Sequence, residues 1–68
     1  MVFVNGMLMM PLRDYDVRFI KKTRKIVFGA DVDAYSIVHI RYEHEGKVAL
    51  TSIRVSYPQR VFPFRKLP

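Results

Sequence analysis

The side chains in this sequence that could support bond-making chemistry are few: His39 and His44, and Ser36, Ser52 and Ser56 as hydroxyl nucleophiles. A serine nucleophile needs a histidine within hydrogen-bond reach and a carboxylate behind that histidine. No spacing among these residues favours such a trio. His44 sits between Glu43 and Glu45, a set that suggests a metal or acid–base site. At a strand end, however, consecutive side chains diverge, so the three do not converge on one ion. With no cysteine, disulfides and thiolate metal sites are excluded. The sequence therefore predicts no catalytic residue, no metal site and no cofactor, and reads as a non-enzyme.

Charge is the more informative chemistry. Twelve Lys and Arg against six Asp and Glu give a net charge of +6 in 68 residues, which suits an anionic partner. All the acids fall between Asp14 and Glu45, so the chain from Gly46 onward carries only Lys47, Arg54, Arg60, Arg65 and Lys66. A second basic cluster, Lys21, Lys22, Arg24 and Lys25 with Arg18 nearby, supplies the candidate phosphate contacts, since neutralising phosphates releases counterions. The plainer reading is a solvated hairpin tip whose lysines block edge pairing. Tyr15, Phe19, Phe28 and Tyr42 fall on predicted core faces, as packing residues and not as platforms for bases.

The elements that carry these residues read as strands. Val2-Phe3-Val4, Asn5-Gly6 and Met7-Leu8-Met9-Met10 give strand, tight turn and strand, because Asn5 and Gly6 tolerate the positive φ angles of a type I′ hairpin. Pro11 ends the second strand. Tyr15, Val17 and Phe19 alternate with Asp16 and Arg18. A second hairpin returns through Ile26 and Phe28, and its Lys21-Lys22-Thr23-Arg24 connection lacks glycine, leaving its turn type open. Gly29–Asp33 is loop-like, then Val38, Ile40 and Tyr42 share a face, and Glu43–Gly46 turns the chain. In the strand from Lys47 to Tyr57, either Val48 and Leu50 or Ile53, Val55 and Tyr57 point inward. Reconciling the two phases predicts a bulge near Thr51-Ser52. The expected architecture is all-β: a small antiparallel sandwich or barrel of five or six short strands, with residues 1–58 as one domain and 59–68 as an extended basic and apolar C-terminal arm.

Taken in order, Val2-Phe3-Val4-Asn5-Gly6, then Leu8 and Pro11, Asp14-Tyr15-Asp16-Val17, Ile26-Val27-Phe28 and Val38-His39-Ile40-Arg41-Tyr42 resemble the short β-module of tailed-phage virion proteins, of the tail-fibre, adhesion and assembly type. That family's pattern is V-F-V-N-G, D-Y-T-V, I-x-F and V-x-I-R-Y, and the likeness covers Val2 to Tyr42. It implies a structural protein of the virion, made in the host cytoplasm. Such a protein docks on capsid or tail proteins, many copies in a symmetric assembly, as a decoration or cement protein or a neck, baseplate or fibre component. The alternative is a small basic β-barrel that binds nucleic acid.

Two segments are candidate contacts for such partners. In the tail, Phe62, Phe64, Arg65, Lys66 and Leu67 are expected to anchor on a partner, Pro63 and Pro68 preventing a continuous ladder. The competing possibility is that Phe62 and Phe64 fold back to plug the domain's own core. Met7, Leu8, Met9 and Met10 are more apolar than one covered face requires, which suits either core packing or a neighbouring subunit. No apolar run approaches the roughly 18–20 residues of a membrane span, and Met1–Met10 lacks the basic start and cleavage site of a signal peptide. No membrane partner is expected. An uncrosslinked core this small supplies roughly 3–5 kcal/mol by itself, so association is the expected supplement.

Overall fold

A computed structural model describes residues 1–66, apart from the side chains of His44, Phe64, Arg65 and Lys66. The described residues form seven strands and no helix: β1 (Val2–Val4), β2 (Met7–Met9), β3 (Tyr15–Ile20), β4 (Thr23–Val32), β5 (Ile37–His44), β6 (Lys47–Arg54) and β7 (Gln59–Lys66). They assemble into two antiparallel sheets, one of order β2-β1-β5-β6 and one of order β3-β4-β7. The all-β expectation holds, with more strands than expected. Because no helix is present, none is long and apolar enough to cross a membrane.

Three two-residue turns set the registers, joining Val4 to Met7, Ile20 to Thr23 and His44 to Lys47. Each has both central residues at positive φ: Asn5 (51°) and Gly6 (81°), Lys21 (48°) and Lys22 (60°), Glu45 (52°) and Gly46 (76°). This is the type I′ geometry whose twist matches the flanking strands. Asn5 does more than turn. Its side-chain Oδ1 accepts the Ile37 N–H at 2.9 Å and its Nδ2 donates to Ser36 Oγ at 3.2 Å, so the first hairpin is fastened to the start of β5. At Lys21 and Lys22 the same conformation is held by residues with a Cβ, at a steric cost that glycine avoids.

The core lies between the sheets and is built from Val2, Tyr15, Ile26, Phe28, Val32, Val38, Ile40, Val55 and Phe62. Phe28 packs against both Tyr15, with ring centroids 6.1 Å apart, and Phe62, at 5.5 Å and nearly perpendicular. The first pair is tilted at 56°, and the second is the edge-to-face arrangement that aromatic quadrupoles favour.

Several sequence expectations are corrected. Residues 59–66 are not a free arm: β7 pairs antiparallel with β4, Ile26 opposite Phe62 and Val27 opposite Val61, and Phe62 is wholly buried. A sheet edge accommodates Pro63, which loses no inner ladder bond. The register steps between Pro63 and Arg65 where it passes Lys25 and Arg24, so Phe64 sits at a bulge. A division at residue 58 is thus not a domain boundary. Leu67 and Pro68 lie outside the described residues. No bulge interrupts β6, whose register with β5 runs unbroken from Arg54 to Lys47. Ile53 and Val55 turn inward, whereas Val48, Leu50 and Tyr57 are exposed. Phe19 is also exposed, contrary to its assignment to a core face. Gly29–Val32, expected as loop, continues β4.

Candidate interaction surfaces

The sheets bring His39 and Ser52 together as directly opposed residues of β5 and β6, with His39 Nδ1 2.8 Å from Ser52 Oγ. Both lie on the exposed side of the sheet. No carboxylate among the described residues is hydrogen-bonded to His39. The contact is a cross-strand hydrogen bond of the kind that stabilises sheets. No group of three His, Asp or Glu residues capable of holding a metal occurs among the described residues. Glu43 and Glu45 flank the hairpin end, but the side chain of His44 is not described.

The β2 segment opens on a shallow cleft of about 330 Å³ bordered by Val4, Met7, Met9, Phe28, Val32 and Ser36. Met9 packs against the core, while Met7, Leu8 and Met10 are exposed. The chain leaves this strand through a compact knot. The Asp14 carboxylate accepts the Met10 N–H at 2.7 Å and lies 3.4 Å from the Arg13 guanidinium. The Met10 hydrogen bond, then Arg13, hold the Asp14 carboxyl below its ordinary value of 3.8. In Tyr15, by contrast, burial pushes the phenol up.

The free edges of the two sheets are not alike. On β3, charged Asp16 and Arg18 occupy the strand, 3.5 Å apart; on β7, Pro63 interrupts the donors; β2 is only three residues long and is followed shortly by Pro11. Charge, proline and shortness are the usual guards against edge pairing. By contrast β6 has eight residues, and between Lys47 and Arg54 runs Val48-Ala49-Leu50-Thr51-Ser52-Ile53, with no charge, proline or glycine. Ala49, Thr51 and Ile53 face the interior in part; Val48 and Leu50 stand on the outer face, 58% and 72% exposed. Sequence periodicity places these side chains on a common face. It does not say that the face is left open.

Seven of the basic residues gather in the other sheet, at the end of β3-β4-β7 that carries the Lys21–Lys22 turn. Lys21 and Lys22 form its turn, Arg18 is directly opposite Lys25, Phe19 opposite Arg24, and the β7 register sets Arg65 opposite Arg24 and Lys66 opposite Thr23. Asp16 pairs with Arg18, and among the described residues none of Lys21, Lys22, Arg24 and Lys25 is paired with a carboxylate. The sequence-predicted phosphate contacts are therefore brought together. Of the predicted anchor, Phe62 is removed from the surface by burial, Phe64, Arg65 and Lys66 are placed by backbone register alone, and Leu67 is outside the described residues.

No protein-family model matches this chain, and no curated protein or solved structure is detectably similar to it.

Proposed function

We propose that this chain is a structural protein of a tailed-phage virion, a small β-domain that docks on a capsid or tail protein through the free edge of β6. The observation that carries the docking reading is that edge: eight residues long, without charge or proline between its ends, and bearing exposed Val48 and Leu50. Such an edge offers unpaired main-chain groups to an added strand, while its outward side chains supply pockets or knobs for specificity. The ordered motifs from Val2 to Tyr42 support the virion setting. Within that setting the chain serves as a decoration, cement, neck, baseplate or fibre component, present in many copies.

Quantitative mass spectrometry of purified particles tests this function. The chain is expected at a fixed copy number per particle that survives a high-salt wash. Its absence from particles, in infected cells that contain it, would overturn the virion assignment.

A further inference from the structure

A second surface, separate from the β6 edge, has a chemistry of its own. We propose that the far end of the β3-β4-β7 sheet binds single-stranded nucleic acid, with phosphates held by Lys21, Lys22 and Arg24 and a base stacked on Phe19. Seven of the twelve Lys and Arg residues occupy this end by strand position: Arg18, Lys21, Lys22, Arg24, Lys25, Arg65 and Lys66. The three strands carry two acids: Asp16 on β3, and Asp31 near the other end of β4, where it is paired with Arg60. Mutual repulsion makes such a gathering unfavourable without a polyanion to neutralise it.

Phe19 supplies the second observation. Along the inward face of β3, Tyr15 is buried, but Val17 is 50% and Phe19 60% exposed. On the neighbouring strand Ile26 is buried and Arg24 is exposed. The inner face of this sheet is therefore covered near the core and open beyond it, and the open part presents an aromatic ring directly opposite an arginine. An exposed aromatic set among cations is the arrangement by which β-domains stack bases while tracking a backbone.

Sheet width argues against a duplex. β7 pairs with β4 as far as Thr23, so the basic end is three strands wide. At about 4.8 Å per strand plus side chains, three strands exceed the roughly 12 Å major groove, which admits a two-stranded ribbon. An acidic protein would also meet the cations; the exposed ring opposite Arg24 favours a stacked base, and the competition below separates the two.

The test is fluorescence anisotropy of the full chain with a labelled oligothymidylate of about 16 nucleotides, the upper site size of small β-domains. Salt is varied between about 50 and 200 mM. Lys21→Asn with Lys22→Gly removes two cations while keeping a favourable type I′ turn, so loss of binding cannot be loss of fold. Its salt slope is expected to fall by about 1.4, at roughly 0.7 per phosphate contact. Phe19→Ala, at an exposed position, is expected to weaken binding at least about fivefold, the lower range for one stacked base. Lys47→Gln with Arg54→Gln lowers the net charge equally, on β6 in the other sheet, and is expected to leave the slope unchanged.

Four results would overturn the proposal: no binding at the lowest salt, equal losses from the two charge variants, no effect of Phe19→Ala, or tighter binding of a duplex. Displacement of the strand by polyglutamate at matched charge would assign the surface to an acidic protein instead.

Discussion

The ring of Phe62 meets the ring of Phe28 edge-on, with centroids 5.5 Å apart and planes at 87°. One residue comes from the strand that ends the described chain and the other from the middle of β4. Their contact makes the last strand part of the core. Phe62→Ala is expected to cost about 3–5 kcal/mol, the usual range for truncating a buried phenylalanine. That equals roughly the whole margin of so small a core. Circular dichroism of the variant should show an unfolded or barely folded chain at 25 °C; a cooperative transition near the wild-type temperature would contradict the packing described.

Removal of residues 59–68 is expected to have the same result for a second reason. It exposes the β7-facing edge of β4 and uncovers Ile26 and Phe28. A truncated chain that melts like the full one would restore the reading of this segment as an arm.

The turn at Lys21–Lys22 offers a gain in stability. Left-handed backbone costs a residue with a Cβ roughly 1–2 kcal/mol. Exchanging the pair for Asn-Gly, the combination already present at Asn5–Gly6, is expected to recover on the order of 1 kcal/mol. In a domain of this size that raises Tm by about 4–8 °C. Gly6→Val is expected to act in the opposite direction. A lowered Tm for the lysine exchange would place the two lysines outside the left-handed region.

Asp14 predicts a response to acid. Its carboxyl is held below the ordinary value of 3.8, first by the Met10 N–H and then by Arg13. A depressed native value means that its stabilisation is complete above the unfolded value and is lost as pH falls through the native one. Thermal melts of the wild type and Asp14→Ala should therefore differ at neutral pH, begin to approach below about 3.8, and converge once pH has fallen through the native value. Curves that stay parallel across that range would remove Asp14 from the acid response.

Much of this architecture is legible in the residues. Asn5-Gly6 fixes the first hairpin because few other pairs accept both φ angles, and Val38, Ile40 and Tyr42 mark the inner face of β5 by alternation alone. Elsewhere local pattern runs out. In β6 both faces carry apolar residues, so Val48 and Leu50 compete with Ile53 for the interior, and only the opposing sheet decides. Periodicity puts Phe19 with Tyr15 on one face but cannot tell how far along β3 the other sheet reaches. The prolines make the last segment look unfit for a ladder. A bulge and an edge position reconcile it with one, and both are properties of the assembled sheet. The free edge of β6 and the open basic end are hidden in the sequence for the same reason: exposure depends on which elements stop short of them.

The central claim, docking through the β6 edge, is tested most directly by measuring incorporation of Val48→Asp with Leu50→Asp into particles, beside the wild type and at equal expression. Because both side chains stand on the outer face, these substitutions place charge on an exposed strand without entering the core, the device by which natural edges refuse a partner strand. The expected result is a variant that melts close to the wild type and is lost from the particle at least about tenfold, corresponding to about 1.4 kcal/mol or more of docking free energy. Incorporation at the wild-type copy number by a folded variant would contradict the account.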